Sequence, residues 1–175
     1  SAPWWSEPGM HGTVFRPLSS VTLWFDHMVF PKHSRAWHVH TLAWFGAAVV
    51  SFGFCARRLF PRSVAIVAVI LFACDSTFVA PVGWLANRCV LICVAFGFLA
   101  IRVHVGWRSP DPDPPKWIRD HGPWVECGLV GLAMAAGEYG LAIVAYILAW
   151  ELFVGGDGEQ KDAWQTRARA LIPAV

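Results

Sequence analysis

Residues 41–56 read TLAWFGAAVVSFGFCA, and no Asp, Glu, Lys, Arg or His interrupts them. Extended back to Ala36, the run takes in His38 and His40 and ends at Arg57-Arg58, with Pro61-Arg62 closing the turn. A membrane-crossing helix needs about 20 mostly apolar residues, and 36–56 meets that length. A second run, 63–82, is interrupted once, by Asp75. A third, 84–101, has Arg88 near its start and Arg102 just past its end. A fourth, 123–154, carries Glu126, Glu138 and Glu151. Four apolar runs in this order predict an all-α, polytopic transmembrane protein.

Composition agrees. Of 175 residues, 56% are apolar and 15% charged, and mean hydropathy is +0.47. Soluble domains are about 45–50% apolar and about 25% charged. Disordered chains deviate the opposite way. A net charge of +2 without a dense Lys/Arg patch argues against nucleic-acid binding. The five cysteines form no CxxC pair, so they read as small packing residues rather than a disulfide framework or zinc site. No basic n-region precedes an apolar run, so no signal peptide is read. The chain opens at Ser1 without Met and stops at Val175 in an unpunctuated stretch, which leads to the expectation of a fragment of a larger membrane domain.

The segments outside the four runs are short. Residues 1–35 read as an outer loop with an amphipathic stretch from Leu18 to Phe30. The polar stretch 108–116, rich in proline, excludes helix. Residues 155–175 read as a cytoplasmic tail or the start of a further helix near Ala163. Trp37, Trp84, Trp107, Trp124 and Trp150 sit near segment ends, as in an aromatic belt. These tryptophans weigh against the competing architecture, a soluble helical bundle.

Charge sorting sets an orientation. With the N-terminus outside, the inner side collects Arg57, Arg58, Arg62, Arg102, Arg108, Lys116 and Arg119. It also collects Lys161, Arg167 and Arg169 if residues 123–154 form a hairpin with its tip at Gly137–Gly140. Arg16, Lys32, Arg35 and Arg88 remain outside. Ten of the fourteen basic residues then obey the positive-inside rule. Length objects to the hairpin, because two full spans need about 40 residues.

Polar groups in membrane segments are costly and mark functional sites. His38, Asp75, Arg88 and Glu138 all fall on the outer side in this topology, as do Arg16 and the Asp26-His27 pair. Asp75 and Arg88 could equally form a structural ion pair between the second and third runs. Asp26, His27, His33, His38 and His40 match no metal-ligand spacing, so no metal site is read there.

The order of motifs resembles a known family. Phe15-Arg16-Pro17-Leu18 before an amphipathic stretch resembles the "RPL" segment of polytopic GT-C glycosyltransferases. Trp37-His38 resembles the start of their next span. Leu71-Phe72-Ala73-Cys74-Asp75, then Val82-Gly83-Trp84-Leu85-Ala86-Asn87-Arg88, resembles the signature of the tetratricopeptide-containing O-mannosyltransferase group and its bacterial relatives. Ala136-Gly137-Glu138 resembles their later "(K/G)E" motif.

The resemblance implies a GT-C-like fold in a bacterial inner membrane. It implies transfer of a sugar from a polyprenyl-phosphate carrier at the outer face, in contact with the lipid bilayer. It makes Arg16, His38, Asp75, Trp84, Asn87, Arg88 and Glu138 candidates for binding substrate or lipid phosphate, and a divalent metal would fit the family. The family's acidic catalytic motif would precede Ser1, so catalytic residues stay unassigned. Phe78 and Ala80 stand where the mannosyltransferase group has His and Glu, and Gly137 replaces its Lys. The alternative is a non-enzymatic polytopic protein, a transporter or assembly subunit, with an intramembrane polar path.

Overall fold

The computed structural model describes residues 16–108 and 115–153. Among these, 89% are helical and none is in a strand. The helix expected near Ala163, Phe15 of the RPL motif and the centre of the Pro-rich loop lie outside the described residues.

Among the described residues, seven α-helices follow one another. Helix α1, Pro17–Val29, starts with Pro at its first position, where the missing N–H costs nothing. Helix α2, Ser34–Leu59, ends with Arg57 and Arg58 in its last turn, favourable beside the helix C-terminus. Helix α3, Arg62–Ala73, follows directly after Pro61. A 3-10 turn at Ser76–Phe78 leads into α4, Val79–Gly83, and a second at Leu85–Asn87 into α5, Arg88–Arg108. Helices α6, Lys116–Ala136, and α7, Gly140–Phe153, complete the order.

Two helical stretches, Ser34–Leu59 and Leu85–Arg108, are long and apolar enough to cross a membrane. At about 1.5 Å per residue, α2 reaches about 39 Å. The second apolar run is not one straight helix. It breaks at Cys74-Asp75, and the two pieces are bent by 41°. The break has a local cause. The Asp75 carboxylate accepts the Thr77 backbone N–H at 2.8 Å, a side-chain bond that competes with helix continuation. Elsewhere the helices run past the expected ends. Helix α5 continues through Arg102 to Arg108, because one charge does not stop a helix whereas the prolines beyond it do. Helix α6 begins immediately after Pro115 and runs through Pro123, seven residues earlier than the sequence suggests. A break at Gly137–Tyr139, the expected tip, separates α6 from α7.

Helix α5 is the axis of the structure. It packs on α2, α6 and α7, and it supplies Cys89, Leu91, Ile92, Cys93, Ala95 and Ala100 to the core. Glycines on α5 and α6 allow close approach. A Cβ on Gly97 would run into the Ile143 side chain of α7, and one on Gly122 would lie 2.6 Å from Trp107. Phe52, Phe72, Phe78 and Phe98 stack edge and face between α2, α3 and α5. This ring cluster holds the broken second run to α2 and α5.

Candidate functional site

Arg88, the first residue of α5, is 1% exposed. Its guanidinium donates from Nη1 to Asp26 Oδ2 of α1 at 2.5 Å. From Nε it donates to Thr41 Oγ1 at 2.9 Å, and from Nη2 to the Trp37 carbonyl at 2.9 Å. Thr41 in turn donates to that carbonyl at 3.0 Å. Asp26 is fully buried, and its second oxygen lies 2.5 Å from His40 Nδ1. The Trp44 indole N–H sits 3.0 Å from His40 Nε2. An indole N–H only donates, so Nε2 must accept. The ring proton is therefore on Nδ1 and is given to Asp26, and the 3.3 Å approach of Arg88 Nη1 to Nδ1 sets two donors side by side. Each oxygen of Asp26 thus has a donor, and both nitrogens of His40 are engaged. The network is closed: it positions α1 on α2 and α5, and it offers no free base.

A second contact secures the other end of α1. Arg16 makes a two-pronged bridge to Glu138, in the break between α6 and α7, from Nε at 3.0 Å and from Nη2 at 2.5 Å. Ser19 Oγ donates to the Ala136 carbonyl at 2.6 Å. This bridge is reachable by solvent, with 49% of the Glu138 side chain exposed. The Arg16 guanidinium holds the Glu138 carboxyl below the ordinary carboxylate range, and the same bond raises Arg16. A depressed carboxyl stabilises the fold above its unfolded-state pKa, and that contribution disappears as pH falls through the folded-state value. We therefore expect the carboxyl carbon of 13C-labelled Glu138 to titrate at lower pH than in an Arg16→Gln variant. Coincident midpoints would show that the bridge does not form.

The remaining candidates lie apart from these two contacts. His38 is exposed on α2, and Trp84 is 65% exposed. Asn87 is half-buried in the turn before α5. The alternative of an Asp75–Arg88 ion pair is not seen among the described contacts. Asp75 is exposed and caps its own turn, and Arg88 pairs with Asp26 instead. The donors of Arg88 point into protein, at Asp26, Thr41 and the Trp37 carbonyl.

A third polar group escaped the sequence reading. His104, 3% exposed near the far end of α5, places Nδ1 3.0 Å from Glu126 Oε2 of α6, which also accepts the Trp107 indole N–H at 2.7 Å. Its Nε2 lies 3.2 Å from Glu151 Oε1 of α7, out of line for a hydrogen bond. Glu151 is bridged by both arms of Arg108. The signal was present in the sequence: His104 is a polar residue inside an apolar helix, the same criterion that picked out Arg88.

Among the described residues, no group of three or more His, Cys, Asp or Glu is placed to hold a metal ion. Of the loose histidine cluster, only Asp26 and His40 meet. The described residues therefore offer no ligand set for a divalent metal. No protein family, curated protein or solved structure matches this chain.

Proposed function

We propose that this chain is part of a polytopic, GT-C-type membrane glycosyltransferase of the bacterial inner membrane that takes its sugar from a polyprenyl-phosphate carrier. One observation supports the reading most. Arg16 of the RPL-like motif and Glu138 of the GE-like motif, far apart in sequence, meet in one bidentate bridge. Arg88, of the Trp84–Arg88 block, is tied to the same helix α1 through Asp26. Three motifs quoted for the resemblance thus converge on α1.

On this reading the roles differ by exposure. Arg88, Asp26, Thr41 and His40 fix the amphipathic helix. Arg16 and Glu138, accessible and charged, border the space where a lipid phosphate would lie, and arginine's fork suits such a group. The transporter alternative is weaker. A continuous polar path along α5 would have to cross Val94–Ile101, which contains no polar side chain.

The test uses the full-length gene product in membranes, with a radiolabelled polyprenyl-phosphate sugar. Glu138→Gln, at unchanged protein level, is expected to lower transfer to acceptor by at least about 10-fold, the scale of a lost charge-assisted contact. Transfer at the unsubstituted rate would overturn the assignment of Glu138.

A further inference from the structure

Helix α1 is amphipathic the wrong way round for a soluble protein. Its buried residues are Ser19, Thr22 and Asp26, an i, i+3, i+7 stripe that is wholly polar. Val21, Trp24, Phe25 and Met28, at i, i+3, i+4 and i+7, form the opposite face and are 49–62% exposed. In water this arrangement would forfeit about half of the burial of four large apolar side chains. An amphipathic surface helix in water turns its apolar stripe inward. Here the polar stripe is turned inward and held by the Asp26–Arg88 and Ser19–Ala136 contacts.

We infer that α1 lies along the membrane interface at the Arg88 end of the bundle, with Val21, Trp24, Phe25 and Met28 immersed in the acyl-chain boundary of the bilayer. Three observations name lipid as the occupant. Helix α1 has 13 residues, too few to cross, where about 20 are needed. Phe25 of its apolar face meets the His40 ring of α2 edge-on at 6.0 Å, on a helix long and apolar enough to cross whose Val39 and Leu42 are also exposed. Trp24 and Trp37 supply the amphipathic indoles that favour the headgroup level. An in-plane helix with its apolar side in lipid needs only polar partners on its other side, and the Arg88 network provides them. This inference rests on the membrane reading and adds a depth and an orientation for α1.

Spin labels at Val21→Cys, Trp24→Cys and Met28→Cys separate the outcomes, in a chain carrying Cys74→Ser and Cys127→Ser and reconstituted in phosphatidylcholine–phosphatidylglycerol nanodiscs. Val67→Cys on α3, 56% exposed, serves as the lipid reference. Buried Cys55, Cys89 and Cys93 are controlled by the same chain without an added cysteine. All three α1 labels are expected to collide with oxygen several-fold more than with a water-soluble nickel chelate. Nickel access at α1 together with oxygen access at Val67 would overturn the inference alone. Exclusion of both reagents at α1 would mean a protein partner covers the face, and would also overturn it. Nickel access at Val67 would defeat the membrane reading itself. In the unsubstituted chain, a phospholipid with a photoactivatable acyl tail should leave adducts within Val21–Val29, and their absence would count against the inference without any mutation.

Discussion

Replacing Asp26 by Leu is expected to destabilise the chain by about 3–5 kcal/mol, because it leaves the Arg88 guanidinium buried without its counter-ion. Arg88 is 1% exposed and Asp26 fully buried, so neither can recover solvation by turning outward. His40 would also lose the acceptor for its Nδ1 proton. At about 2–4 °C per kcal/mol, the midpoint in detergent should fall by about 6–20 °C. A thiol-reactive dye can follow the transition, since Cys55, Cys89 and Cys93 are buried in the folded chain. The paired change Asp26→Leu with Arg88→Met removes both charges at similar volume. It should cost less than Asp26→Leu alone, because an apolar pair replaces a buried ion pair nearly neutrally. Additive losses, or an Asp26→Leu midpoint within about 1 °C of the parent, would contradict the network described.

The same pair shows where sequence reasoning reached and where it stopped. Scarcity of charge made Arg88 conspicuous, and placed Asp26 on its side of the membrane. It left a structural ion pair with Asp75, 13 positions away, as one of two readings of Arg88. Two local facts decided otherwise. Asp75 is held by the Thr77 N–H, in the turn that bends the second apolar run, and so faces away. Helix α1 carries Asp26 over the start of α5, a placement set by contacts 62 residues apart in sequence and by no local pattern.

Amphipathicity was legible in α1 as a period, but the period does not say which face turns inward. That depended on the polar partners waiting on α2, α5 and α6. Hydropathy did locate the two long apolar helices, because length and apolar content are local properties. It misplaced their ends because charges at 57, 58 and 102 were weighed as stops, whereas the backbone stops at proline and at the Gly137–Tyr139 break. The His104–Glu126–Glu151 group went unread because each member looks like an isolated polar residue until α5, α6 and α7 meet.

Substituting Gly140 tests the meeting of α6 and α7, where backbone faces backbone. A Cβ at Gly140 would stand 2.6 Å from the Met134 backbone nitrogen and 2.7 Å from its Cα. Both obstacles are backbone, so no rotamer change can relieve them. Gly140→Ala must therefore push the start of α7 away from the last turn of α6. Overpacking of this kind costs about 1–3 kcal/mol where side chains can yield, and here the yield must come from two helices, so the upper end is expected. The displacement passes through Tyr139 to Glu138, whose bridge to Arg16 holds one end of α1. Gly97→Ala offers the comparison, because its obstacle is the flexible Ile143 side chain of α7 rather than backbone. Thermal midpoints should then rank the parent highest, Gly97→Ala between, and Gly140→Ala lowest. The Glu138 carboxyl should titrate closer to the ordinary carboxylate range in Gly140→Ala alone. A Gly140→Ala chain as stable as the parent, with Glu138 still depressed, would mean that α6 and α7 do not meet this closely.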